Sequence, residues 1–141
     1  MKAYFDANIY VSYLLGQKNC DKIDRIFKAG SDCMFSIVMS KTTAIEVAVA
    51  CDGKGMILLQ SHIDMFASKG KLEVLGINAV DDGLAHDLDD KTGHKFGLND
   101  CRHCILAQKY SDIFVTDDRQ LAGVSSPLVK TLSACEFLSE L

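Results

Sequence analysis

Four carboxylic acids stand at positions from which a shared site can be built. Asp6 and Asp118 each come just after a short apolar run of the kind that forms a buried strand. Glu46 lies among small and apolar residues, where an ionised carboxylate buried without a partner would be costly. Asp100 follows Asn99, which is a favoured residue type at helix starts. The four acids are therefore candidates to meet in space.

Each acid taken alone also has an ordinary structural explanation. Asp6 and Asp118 suit turns or helix caps, and Glu46 suits the solvent face of an amphipathic helix. Asp100 would gain about 0.3 to 1 kcal/mol from the positive end of its helix. The functional interpretation depends on the combination of two acids at strand ends with two acids on helices.

Carboxylates gathered within a few ångströms repel one another, so such a cluster either takes up protons or binds a cation. Hard oxygen ligands suit Mg²⁺ or Mn²⁺ better than zinc. An ion of this kind makes a bound water more acidic and neutralises charge on a phosphodiester under attack. The cluster therefore indicates hydrolytic chemistry.

Alternating strand-like and helix-like segments must position these acids. The predicted strands cover residues 2–5, 34–39, 72–77, 113–116 and 128–132. The predicted helices cover residues 9–15, 21–29 and 56–68. Four more are predicted from the residues that cap them: one from Ser40 to near residue 52, one from Asn78 through Leu88, one from Asn99 to near Tyr110, and a C-terminal one that Ser133 opens.

Strands joined by long helical crossovers predict an α/β fold with a mainly parallel sheet and helices on both faces. In such sheets, ligands bind beyond the carboxyl ends of the strands. Asp6 and Asp118 are expected at that edge.

Size and composition indicate one domain over residues 1–141, because a chain of 141 residues buries about two-thirds of its unfolded surface in a single core. The net charge of −4 argues against a surface that holds nucleic acid by long-range charge alone. A cation bound by the acids would reverse the local field.

The location of the protein is expected to be the cytoplasm. Asp6 interrupts the first apolar run, and no segment approaches the roughly 20 apolar residues that a membrane span needs. In a reducing compartment the six cysteines are expected to act mostly as small buried apolar residues. Cys101 and Cys104 form a C-x-x-C, which leaves a redox or zinc-binding role open.

The order and surroundings of the four acids resemble those of PIN domains over nearly the whole chain. The shared segments are Phe5-Asp6-Ala7-Asn8, Ser40 with Glu46 six residues later, Asn99-Asp100 with the helix Cys104-Ile105-Leu106-Ala107, and Phe114-Val115-Thr116-Asp117-Asp118. One departure is Leu121, where that family more often has phenylalanine, although either residue fills an apolar site. The resemblance implies a three-layer α/β/α sandwich.

In that family, four acids hold one or two Mg²⁺ or Mn²⁺ ions for the cleavage of RNA, and the matching residues here are Asp6, Glu46, Asp100 and Asp118. The resemblance gives Thr116 the role of orienting the site by hydrogen bonding and gives Asn8 the role of supporting the first acid. Asp117 would contribute in place of Asp118 or beside it.

Stand-alone PIN domains of this size resemble the VapC-type toxins of type II toxin-antitoxin pairs. That likeness implies an endoribonuclease that forms a homodimer and is silenced by an antitoxin protein. The alternatives are a PIN nuclease of RNA maturation and a PIN-like module that binds without cutting. The RNA target is not readable from the sequence, because such recognition depends on surface shape.

Six basic side chains lie near the predicted site elements: Lys91, His94, Lys95, Arg102, His103 and Arg119. Each one singly suits a solvated surface, and we expect contact with RNA phosphates first for Arg102 and Arg119. No histidine pair has the H-x-x-x-H spacing of a metal site, so the histidines are left out of the predicted metal centre.

A phosphoryl-transfer enzyme of the haloacid dehalogenase type is a further alternative, because that fold also has an acid after its first strand and a late pair of acids. It requires a D-x-D motif, and here the second acid is replaced by Asn8. This alternative is therefore disfavoured.

Overall fold

A computed structural model describes all 141 residues. Five parallel strands form one sheet in the order β3-β2-β1-β4-β5. The strands are β1 (Lys2–Phe5), β2 (Ser36–Ser40), β3 (Leu72–Leu75), β4 (Ile113–Val115) and β5 (Lys130–Leu132). The helices are α1 (Ala7–Leu14), α2 (Cys20–Ser31), α3 (Lys41–Ala50), α4 (Gly53–Ser68), α5 (Ala79–Lys91), α6 (Leu98–Tyr110), α7 (Arg119–Ser125) and α8 (Ala134–Glu140).

The sheet carries a separate apolar core on each face, because successive side chains of a strand point to opposite sides. Phe5 and Ile37 belong to a large core that includes Phe27 of α2 and Phe66 of α4. The other face has a smaller core that includes Tyr4, Val38 and Phe114 with Leu106 of α6. The predicted three-layer α/β/α arrangement is therefore confirmed, and its sheet is wholly parallel.

Polar side chains begin three of the helices as predicted. Ser40 caps α3 and accepts a hydrogen bond from the Thr43 amide at 3.0 Å, and Asn78 caps α5 at 2.8 Å from the Asp81 amide. Ser133 begins α8, where Glu136 completes a capping box.

The prediction that Asn99 caps α6 is wrong. The helix starts at Leu98 after Gly97, and the Asn99 side chain accepts a hydrogen bond from Arg102 instead. The last strand is shorter than predicted, since the amides of Leu128 and Val129 donate to the Ser125 carbonyl in a turn.

A buried polar contact holds α5 against the C-terminal end of α6. The Asp81 carboxylate is fully buried and pairs with Lys109, and it accepts a hydrogen bond from Tyr110 Oη at 2.8 Å. These contacts matter for the site because α6 carries Asp100. No helix is long and apolar enough to cross a membrane.

Candidate metal centre

Asp6 lies at the carboxyl end of β1, where the sheet and α1 both hold it. Its Oδ1 accepts a hydrogen bond from the Ala7 amide at 2.7 Å, and its Oδ2 accepts one from Thr116 Oγ1 at 2.8 Å. Burial raises the pKa of Asp6, although the positive charge of His103 and the hydrogen bonds from Thr116 and Ala7 partly oppose that rise. The predicted helix-capping explanation for Asp6 is thus correct, and it is compatible with a second role.

Thr116 follows β4 and its buried hydroxyl connects the neighbours of Asp6. Besides donating to Asp6, Thr116 Oγ1 accepts hydrogen bonds from Asn8 Nδ2 and from the Asp118 amide, both at 3.2 Å. The remaining Asn8 oxygen, Oδ1, is buried and has no hydrogen-bond partner. Asn8 thus offers a free oxygen next to the hydroxyl that holds Asp6.

Glu46 enters the site from α3, the helix that Ser40 starts directly at the end of β2. Its side chain is 29% exposed, and its Oε1 lies 2.8 Å from His103 Nε2. One oxygen of Asp6, one oxygen of Glu46 and one ring nitrogen of His103 all lie within 4.8 Å of one another. Three chain segments that are distant in sequence therefore place ligand-type atoms around one point.

His103 is the residue that the sequence analysis missed. It was treated as a surface residue outside the metal centre, whereas its side chain is completely buried. Burial lowers the pKa of His103, but the hydrogen bond to Glu46 and the negative charges of Asp6, Glu46 and Asp100 together raise it above its ordinary value. The signal was the D-x-x-H spacing, because residues three apart on a helix share a face.

Asp100 occupies the first turn of α6 as predicted and lies in the electrostatic field of the other acids. Its pKa is raised to about 6 by burial, then by the charges of Asp6, Glu46 and Asp118, with His103 opposing them. The structure thus brings Asp100 near the other acids, although its carboxylate is outside the tight group of three ligand atoms.

The two consecutive acids after β4 have different surroundings. Asp117 uses both oxygens for structural contacts, since Oδ1 accepts from the Ala134 amide at 2.9 Å and Oδ2 from Asn19 Nδ2 at 3.3 Å. Asp118 caps α7 through Oδ1 alone, which leaves Oδ2 without a hydrogen bond. Asp118 therefore has the freer carboxylate.

The basic residues near the site also differ. Arg102 donates from Nε to Asp82 Oδ1 at 2.7 Å, so its charge is already paired. Arg119 is exposed and lines a cleft of about 940 Å³ together with Lys18 and Lys22. Thr116 lines the same cleft, so that the cleft reaches the residue that holds Asp6.

Cys101 and Cys104 are both buried within α6, in agreement with the structural interpretation of the C-x-x-C. Burial raises the pKa of the Cys104 thiol to about 12, which disfavours a reactive thiolate. All six cysteines are free, and Cys33 is exposed, so the expectation of burial does not hold for every one.

A family model described as "PIN domain" matches residues 3–126 of the chain. No curated protein matches the sequence of this chain.

Three solved structures illustrate the likeness of the fold. VapBC2 from Rickettsia felis, bound to a DNA fragment from their promoter, is similar with a TM-score of 0.66 and 20% identity over 94% of this chain and 98% of that one. FitAcB from Neisseria gonorrhoeae has a TM-score of 0.64 and 18% identity over 94% and 98%. VapBC-1 from nontypeable Haemophilus influenzae has a TM-score of 0.60 and 18% identity over 96% and 99%.

Proposed function

Since this chain belongs to the PIN domain family, we propose that it is an endoribonuclease that hydrolyses RNA phosphodiester bonds with Mg²⁺ or Mn²⁺. The observation that carries the proposal is the meeting of Asp6, Glu46 and His103 ligand atoms within 4.8 Å of one another, with Asp100 in the same field. The raised pKa of Asp100 and the unpartnered Asn8 Oδ1 fit a centre completed by a cation.

In this proposal, Asp6, Glu46, Asp100 and Asp118 hold the metal. When bound, such an ion supplies an acidified water and positive charge beside the phosphodiester. Thr116 and the Ala7 amide fix the two oxygens of Asp6, so that its carboxylate needs little reorganisation when substrate arrives. Asp117 has a structural role in holding the start of α8.

RNA backbone is expected to enter along the cleft next to Thr116. Lys18, Lys22 and Arg119 are cations on its walls, and such groups contact phosphates without reading sequence. Arg102 is a weaker candidate because Asp82 already neutralises it.

The decisive experiment compares Asp100→Ala with Asp64→Ala, which removes an exposed acid on α4. With Mn²⁺ or Mg²⁺, the wild type and Asp64→Ala are expected to cleave RNA, whereas Asp100→Ala loses cleavage while its circular dichroism stays native. Cleavage by Asp100→Ala, or cleavage by the wild type in EDTA, would contradict the proposed mechanism. Metal binding without any cleavage would favour a binding module.

The physiological role that we propose is the toxin of a type II toxin-antitoxin pair, acting in the cytoplasm as a homodimer that a small antitoxin protein silences. The similar structures named VapBC and FitAcB support this role. Induced expression is expected to arrest growth, and co-expression of a small protein encoded beside the gene is expected to relieve the arrest. Normal growth on induction would favour a nuclease of RNA maturation.

A further inference from the structure

The imidazole of His103 is held in a defined orientation by a hydroxyl chain beneath the acids. Tyr4 Oη donates its only proton to Ser40 Oγ at 2.8 Å. The 2.7 Å contact between Tyr4 Oη and His103 Nδ1 must therefore be donated by the imidazole. This places a proton on Nδ1 and turns Nε2 toward Glu46, whose Oε1 is 2.8 Å away.

Nε2 and the Glu46 oxygen are both acceptors when the ring is neutral, and two acceptors at this distance need a positive partner. A second ring proton would supply one, making His103 a cationic clamp for Glu46. A divalent ion is the alternative partner, because an oxygen of Asp6 lies within 4.8 Å of an oxygen of Glu46 and a ring nitrogen of His103. Histidines that bind metals characteristically donate their second ring N–H to a nearby oxygen, as Nδ1 does here.

We infer that His103 binds the divalent ion through Nε2, beside Asp6 and Glu46, and makes the centre prefer Mn²⁺ to Mg²⁺. The inference rests on the proposed metal-dependent function and adds a nitrogen ligand to its four acids. Mg²⁺ prefers oxygen ligands and retains its waters, whereas imidazole suits transition metals. One nitrogen in an otherwise carboxylate centre therefore shifts the preference toward Mn²⁺.

Pulsed electron paramagnetic resonance of the Mn²⁺-loaded full chain tests the ligand directly. The wild type is expected to show nitrogen coupling to Mn²⁺, and the pattern should change when the protein contains isotopically labelled histidine. His103→Gln is expected to lose this coupling, whereas His86→Gln, which alters an exposed histidine on α5, retains it. Bound Mn²⁺ without histidine coupling would show that His103 is not a ligand and only pairs with Glu46, and it would not contradict the nuclease proposal. Absence of Mn²⁺ binding would overturn both.

Calorimetric titrations with Mn²⁺ alone and Mg²⁺ alone test the selectivity. His103→Gln is expected to lower the Mn²⁺ affinity by at least about tenfold and the Mg²⁺ affinity by much less. Tyr4→Phe removes the Nδ1 partner but keeps the ring, so a loss of about tenfold in Mn²⁺ affinity with retained nitrogen coupling is expected. Equal losses for the two ions in His103→Gln would overturn the selectivity. The wild-type spectrum decides the ligand even if a variant fails to fold.

Discussion

Asp100 is held in a position that costs the folded chain stability. Burial and the neighbouring acids raise its pKa from 3.8 to about 6. Between those two values the folded chain binds more protons than the unfolded chain, so the free energy of unfolding decreases as the pH rises. The cost is fully present above about pH 6. A cation is the natural compensation for it.

Replacing this charge should therefore stabilise the metal-free protein. We expect Asp100→Asn to raise the free energy of unfolding by about 1 kcal/mol near neutral pH in EDTA, since solvent screens part of the effect at this half-open position. The difference should disappear below about pH 4, where the wild-type carboxyl is protonated in both states. Urea unfolding at both pH values measures it. A variant no more stable than the wild type at neutral pH would contradict the argument.

The same carboxyl should control the pH dependence of metal binding. Because Asp100 must lose its proton to act as a ligand, we expect the apparent Mn²⁺ affinity to weaken by up to about tenfold for each pH unit below 6. Calorimetric titration across this range measures the change. Asp100→Asn should bind Mn²⁺ more weakly at all pH values and lack this step, and a wild-type affinity independent of pH would contradict the prediction.

The positions of the acids at strand ends and on helices were predictable, but their surroundings were not. Asp6 and Asp118 follow strands, and that position in a parallel sheet already implies the site edge. The D-x-x-H spacing places His103 on the face of α6 that carries Asp100, but the contacts that bury it, with Tyr4 from β1 and Glu46 from α3, are not encoded in that spacing. For the same reason the pairing of Arg102 with Asp82 became visible only in three dimensions.

The boundaries of helices and strands were likewise predictable from the sequence only in part. Ser40, Asn78 and Ser133 each accept a hydrogen bond from the amide three residues ahead, so their sequence signals were reliable. Asn99 carries the same signal but lies inside the first turn of α6, which starts at Leu98, and its side-chain oxygen accepts from Arg102. The wholly parallel sheet follows from the alternation of strands with helical crossovers, whereas the order β3-β2-β1-β4-β5 requires tertiary packing.

Two helical glycines provide a test of packing between helices. A Cβ atom on Gly30 of α2 would lie 2.8 Å from the Phe66 ring and 2.9 Å from the Phe35 ring, whereas a Cβ on Gly83 of α5 would meet nothing within 4 Å. We expect Gly30→Ala to destabilise the protein by about 1 to 3 kcal/mol through overpacking. Gly83→Ala should stabilise it by about 0.5 to 1 kcal/mol through helix propensity. Thermal unfolding of both variants measures the difference, and a stabilising Gly30→Ala would show that α2 does not pack on the two rings.

At the scale of the whole molecule, the charge is arranged in a way that the net value of −4 conceals. The acids converge at the carboxyl end of the sheet, while Lys18, Lys22 and Arg119 line the adjacent cleft. A polyanion that enters the cleft would contact these cations close to Thr116, whose hydroxyl holds Asp6. The overall charge thus argues against broad electrostatic attraction but not against a local path for phosphates.

The proposed homodimer has a surface that suits it on α3. Ile45 and Val49 are 64% and 83% exposed, and as residues four apart they share one face of α3. We name these two residues the apolar face. Exposed apolar side chains grouped in this way are typical of protein contact surfaces, and a second copy of the chain is the occupant that we propose.

A charge within the apolar face should therefore separate the subunits, because an unpaired carboxylate is costly to bury between them. We expect light scattering after gel filtration to give the wild type about twice the 15.4 kDa of one chain and Val49→Glu a mass near 15.4 kDa. Val80→Glu is the matched control, since Val80 is 68% exposed on α5 and outside the apolar face. It should remain dimeric. A monomeric wild type at every concentration would contradict the dimer, and dissociation by Val80→Glu instead of Val49→Glu would place the contact on α5.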